Sequence, residues 1–193
     1  MTMLVSGLVL FFLVHLLPTL PAVRAALVSR LGRGAYSGVF SLLSLIGLVL
    51  IVMGYAQMQG QGRGNPELWA PPIWIRHLVL LLMIPAVVLL VAAYVPSRVR
   101  TAVGHPMLAA VTIWAFAHLL ANGDLASVLL FGGFLAFAVY DRISVGRRAA
   151  LGPLGNAQGG VLQDALVIAA GLGTYMIILF WAHGKFIGVP LLP

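Results

Sequence analysis

HPMLAAVTIWAFAHLLANGDLASVLLFGGFLAFAVYD, residues 105–141, decides the fold. Two apolar runs, about 107–121 and 125–141, are separated only by Asn122-Gly123-Asp124. Asn122 and Asp124 can supply capping oxygens at such a break. The stretch therefore reads as a tight hairpin of two helices in a bilayer. One ionisable residue, His118, lies inside the first run. Such residues are costly in hydrocarbon and usually face a bundle interior, so His118 is a functional candidate.

Four more apolar segments, about 4–20, 36–56, 73–95 and 163–182, extend the pattern along the chain. Each approaches the roughly 20 residues that cross a hydrocarbon core. Composition agrees: of 193 residues 62% are hydrophobic and 8% charged, against about 25% charged in soluble domains. The expected fold is all-α, a polytopic bundle of about six transmembrane helices forming a single domain over 1–193. The first segment lacks a basic flank and a small-residue cleavage site, so it is read as a helix rather than a signal peptide. Internal repeats and low-complexity tracts are not evident, and QGQGRGNP (59–66) reads as a flexible loop.

Charge orients the bundle. Arg24, Arg30 and Arg33, then Arg98 and Arg100, then Arg142, Arg147 and Arg148 fall in alternate connections, against Arg63, Arg76 and Lys185 in the others. The positive-inside rule puts the richer side in the cytoplasm and both termini away from it, as an even helix count requires. In a Gram-negative cell this is the inner membrane. The net charge of +7 forms no basic stripe with interleaved aromatics, so nucleic acid is not an expected partner. Membrane lipids are.

His15, in GLVLFFLVHLLPTLPAVR (7–24), is the second intramembrane histidine. Leu8, Phe11, Phe12 and Thr19 share its helical face, three or four residues away. His118 shares a face with Trp114 and Asn122 among Ala115, Ala117 and Ala121, small residues that admit a close neighbour or a flat cofactor. The chain has no Cys, which removes disulfides, iron–sulfur clusters, thiolate zinc sites and C-x-x-C-H haem attachment. Zinc prefers four ligands, while Glu67, Asp141 and Asp164 sit at segment ends. Haem b needs only one or two imidazoles, an apolar slot and cations for its propionates. Phe11, Phe12, Trp114 and Phe116 are candidates for the slot, and Arg24 and Arg76 for the propionates.

Helical rise puts His15 roughly 5 Å to the cytoplasmic side of its segment centre and His118 roughly 6 Å to the other side. By depth alone His77 suits His118 better, and His105 could approach His15, so both are second-rank ligands. His77 sits at a helix mouth, His105 precedes Pro106 at a helix start, and His183 reads as solvated.

Gly7, Phe12, His15 and Pro18, the HPM of 105–107, and above all WAFAHLLANGDLAS (114–127) resemble the NnrU family over nearly the whole chain. NnrU proteins are bacterial membrane proteins associated with nitrite and nitric oxide respiration. The family is similar to plastid zeta-carotene isomerase, a haem b enzyme that isomerises a carotenoid cis double bond. Its haem ligands include a histidine in an early helix and one in a W-C-x-A-H motif, which match His15 and His118. The motif's cysteine is Ala115 here, which takes thiolate ligand switching away and leaves isomerase activity open. The His-Pro pair also resembles isoprenylcysteine-type membrane methyltransferases, whose downstream acidic signature is not apparent.

The resemblance thus implies an inner-membrane haem b (iron) protein of denitrification, with His15 and His118 as metal ligands and Trp114, Asn122 and Arg76 around the cofactor. If it is an enzyme, ferrous haem acts as a Lewis acid on a lipophilic polyene, in a cis–trans isomerase. The alternative is a non-catalytic haem or nitric oxide sensor, or an assembly factor for denitrification enzymes. A small-residue stripe, Ser37, Ser41, Ser44 and Gly47, reads as internal packing or a dimer contact.

Overall fold

Prolines and glycines set the helix ends. The computed structural model describes residues 1–60, 64–148, 154–155 and 157–192. Arg63, with the centre of the 59–66 loop, lies outside them. Helix α1 (Thr2–Leu16) tightens into a 3-10 turn, Leu17–Thr19, where Pro18 enters. Pro21 opens a new helix, α2 (Pro21–Leu31), where the arginine pattern predicts only a connection. Proline's fixed φ suits a first helical position, and its missing N–H is not needed there. Gly32, at φ 80°, ends α2 in a conformation that glycine adopts without strain. Helices α3 (Arg33–Gly60), α4 (Ile75–Ala92), α5 (Arg98–Val103), α6 (Pro106–Ala121), α7 (Leu125–Arg148) and α8 (Val161–Ile177) follow. A π-helical tail, Ile178–Ile187, stops at Gly188, also at positive φ.

The protein is an all-α, multi-pass membrane protein. Among the described residues, five helical stretches are long and apolar enough to span: Thr2–Thr19, Arg33–Gly60, Ile75–Ala92, Leu125–Arg148 and Val161–Ile187. The sixth expected segment, α6, is apolar but has only 16 residues. At 1.5 Å per residue it reaches about 24 Å, short of the roughly 30 Å core. Pro106 at one end and the Asn-Gly-Asp break at the other limit it. Its hairpin partner is longer than expected. α7 continues past residue 141 to Arg148, whose guanidinium reaches back to Asp141 (2.8 Å) and Ser144 (3.0 Å). These pairs, one and two turns apart, support a charged helix end.

The helices form two compact units, Met1–Pro71 with Asn122–Phe137, and Pro72–Ala121 with Ala138–Pro193. In the first, α1 and α3 run antiparallel with their backbones in contact. A Cβ on Gly7 would lie 2.6 Å from the Ile51 nitrogen, and one on Gly54 would strike Leu4. Gly47 faces Phe11 at 3.0 Å, so this member of the small-residue stripe is internal packing. Ser37 and Ser41 are exposed, and Ser44 donates to the Phe40 carbonyl. Helices without a hydrophobic drive between them gain from such close packing.

In the second unit α4 packs on both α6 and α8. Gly171 meets the Val88 backbone, and the Tyr175 hydroxyl donates to the Leu80 carbonyl, in the turn before Pro85. Arg100, read from sequence only as a topology charge, is 5% exposed. Its guanidinium donates to the carbonyls of Gly155 (2.6 Å) and Ala157 (3.0 Å). Asp164 accepts from the backbone of Arg98 and Val99 at the start of α5, where Ser97 is the cap. Buried or half-buried charges are retained where such partners satisfy them.

Candidate cofactor site

His15 stands one residue before the end of α1, half-buried in the first unit. Its Nδ1 lies 2.7 Å from the carbonyl of Phe11. A carbonyl only accepts, so Nδ1 carries the proton and, in the neutral ring, Nε2 carries the lone pair. The ring stacks on Phe11 at 3.9 Å and 21°, with Phe40 at 5.2 Å and Phe137 edge-on at 6.1 Å. Phe134 and Phe137 of α7 pack on Phe12, and Phe134 also on Phe11. Gly133 leaves the room that Phe12 fills; a Cβ there would lie 3.0 Å from the ring. Phe11 and Phe12 were expected to line a slot here. The α7 rings were not, because their spacing to His15 is invisible along the chain.

His118 repeats the hydrogen bond in the second unit. Its Nδ1 lies 2.8 Å from the Trp114 carbonyl, and the two ring centroids are 5.2 Å apart. Trp114 is therefore beside His118 as expected, through both its backbone and its indole. Ala115 and Ala117 are fully buried and Ala110 is 3% exposed, so α6 meets its protein neighbours through methyl groups on more than one side. Phe116 points outward at 47% exposure and does not line the core.

The other candidates are scattered. Arg76 and His77 are exposed at the first turn of α4. His105 is half-buried, and its carbonyl accepts the Ala109 N–H at the start of α6, as a residue before Pro106 should. Arg24 lies over the Tyr36 ring at 5.9 Å. Asn122 belongs to the first unit. His183, read as solvated, donates from Nδ1 to the Val189 carbonyl at 2.7 Å in a bond that stays exposed. Its position in the π-helical tail could have drawn notice only from the structure. Among the described residues, no three His, Asp or Glu side chains gather to hold a bare metal ion.

The break after α6 holds more than caps. Asp124 Oδ1 accepts from the Ser127 backbone (3.0 Å), Asn65 (2.8 Å) and Gln59 (3.0 Å), and Oδ2 accepts from the Ser127 hydroxyl (2.6 Å). The Ser127 proton is thereby used, so the Tyr55 hydroxyl donates to Ser127 Oγ at 3.0 Å. Asn65 Oδ1 accepts from Ala126, and Leu68, Trp69 and Leu125 complete the clasp through backbone bonds. The flank of the supposedly flexible loop is thus fixed onto α7. Burial pushes the Asp124 carboxyl up, but the bonds from Ser127 and Asn65 outweigh it and hold the group below the usual carboxylate value.

Comparison with protein families adds the relation that these features share. The family model described as "NnrU protein" matches residues 3–191. The chain therefore belongs to the NnrU family. No curated protein and no solved structure matches it.

Proposed function

We propose that this NnrU-family membrane protein binds haem b, with His15 and His118 as the residues that would hold it. One observation carries the reading: each ring has its Nδ1–H committed to a carbonyl one turn back. This is how a metal-ligating histidine is oriented and its tautomer set, with Nε2 as the donor nitrogen. Haem also suits a protein whose described residues offer no three-ligand cluster, because the porphyrin brings four donors of its own. When bound, it supplies a Lewis-acidic iron.

The chain's own residues divide the remaining work. Phe11, Phe12 and Trp114 exclude water beside the imidazoles. Arg76 offers a cation to a propionate, and Asn122 a polar edge. The reaction favoured is cis–trans isomerisation of a lipophilic polyene, within a role in nitrite and nitric oxide respiration. With α6 as a short sixth crossing, the arginine distribution supports a bacterial inner membrane with both termini outside the cytoplasm.

The test is spectroscopic. Purified wild type is expected to show b-type bands, and His15→Ala and His118→Ala each a shift from low-spin to high-spin iron or loss of haem. A colourless wild type overturns the haem reading, and unchanged bands in both variants overturn the ligands. Turnover of zeta-carotene under reducing conditions then separates an isomerase from a sensor or assembly factor.

A further inference from the structure

Among the described residues α2 is held only lightly, touching α3 and the turn before it, with Arg24 over the Tyr36 ring. It has 11 residues, none of them buried. A free helix of that length is marginal in water, and helices in proteins owe most of their stability to a packed face. Its sequence position narrows the explanation. α1 with its 3-10 turn crosses one way, α3 returns antiparallel against it, and α2 connects them. At about 16 Å, and with Arg24 and Arg30 inside it, α2 cannot cross. A connection between two crossings falls at a membrane surface.

The side chains are arranged for that surface. At about 100° per residue, Leu20, Val23, Leu27 and Leu31 fall within about 80° of one another. Arg24 and Arg30 stand just outside either edge of this stripe, half-buried Val28 follows beyond Arg24, and Ala22, Ala25, Ala26 and Ser29 lie opposite. Leu20, Val23 and Leu31 are 48%, 44% and 51% exposed, as is fitting for groups that meet acyl chains rather than protein. Arg24, Arg30 and Arg33 are exposed too. No Asp or Glu precedes Glu67 in the sequence. The first unit's carboxylates, Glu67 and Asp124, lie beyond the far end of α3, about 40 Å from Arg33. Three guanidinium groups beside an apolar stripe are matched by phosphate oxygens, which they bind as planar forks.

We propose that α2 is an interfacial helix that seats Leu20, Val23 and Leu31 in the acyl boundary and holds anionic phospholipid headgroups with Arg24, Arg30 and Arg33. The proposal is independent of haem. Each arginine then carries about a fivefold share of the docking equilibrium.

The chain lacks cysteine, so single spin labels can be placed at Val23→Cys or Ala25→Cys, about 160° apart on the helix. The full-length protein goes into nanodiscs of phosphatidylcholine alone or with phosphatidylglycerol. Expected is oxygen access at position 23 and aqueous nickel-chelate access at 25 in the anionic discs. The contrast falls at least severalfold in phosphatidylcholine discs. It falls equally in anionic discs with Arg24→Gln, Arg30→Gln and Arg33→Gln combined, and returns with the three lysine substitutions. Equal nickel access at both positions in both lipids overturns the interfacial seat. A contrast indifferent to lipid charge and to the arginines overturns the headgroup contact. Recovery in phosphatidylcholine discs on adding inorganic phosphate assigns the arginines to a free anion and overturns the lipid as its source. Should the glutamine variant not stay monodisperse, the two lipid compositions still decide the matter with the arginines intact.

Discussion

His15 and His118 make the same hydrogen bond in opposite surroundings. Around His15 the neighbours are rings, one stacked and two at an angle, contributed by α1, α3 and α7. Around His118 the helix presents one indole and a run of buried alanines. The ring-lined environment is already packed with side chains, so a ligand there competes with aromatic contacts. The alanine-lined one keeps neighbours close by having little to pack. A histidine's depth in a membrane therefore says less about its use than the size of the residues one turn away.

That contrast can be broken most directly with Ala117→Leu. A fully buried alanine has no space for three more carbons, and overpacking should cost about 3 kcal/mol. SDS-titration unfolding in mixed micelles would measure it; a loss under 1 kcal/mol would mean that α6 is not closely packed there. Next comes Asp124→Ala, which removes the acceptor for Ser127, Asn65 and Gln59 and the cap of α7, for about 2 kcal/mol in the same assay. Phe11→Leu should cost about 1 kcal/mol, since it deletes one stacked ring from an environment that keeps several. Equal losses for Phe11→Leu and Ala117→Leu would erase the distinction between the two surroundings.

The smallest effect is pH dependence from Asp124. Its folded-state value is depressed, so its stabilising share is complete above the ordinary value near 3.8 and is lost as pH falls through the lower folded one. Unfolding measured from pH 8 to 5 should show no contribution from this carboxyl, and Asp124→Asn should flatten only the decline at more acid pH.

The spans were legible because apolar length is a local property: every expected segment corresponds to a helix within a few residues at most ends. α2 was not, since Arg24 and Arg30 inside a short apolar stretch read equally well as a connection. The length of α7 was hidden by Asp141 and Arg142, which look like a helix end until Arg148 folds back on them. His15, His118 and Trp114 could be named from their depth and spacing. Asn65, Phe134, Phe137, Arg100 and His183 act through partners between six and 123 residues away, most of them on other elements, so no short window along the chain shows them.

The first unit is discontinuous: its opening stretch ends at Pro71 and its remainder comes from Asn122–Phe137. During synthesis, α1 and α3 can close their glycine seam early, while Phe134 and Phe137 are still unmade. At about 5–20 residues per second, the rings beside His15 arrive roughly 3–13 s later. For that interval the imidazole stands on a finished hairpin with one side unbuilt. The order of translation thus leaves one face of the His15 ring uncovered until α7 is made.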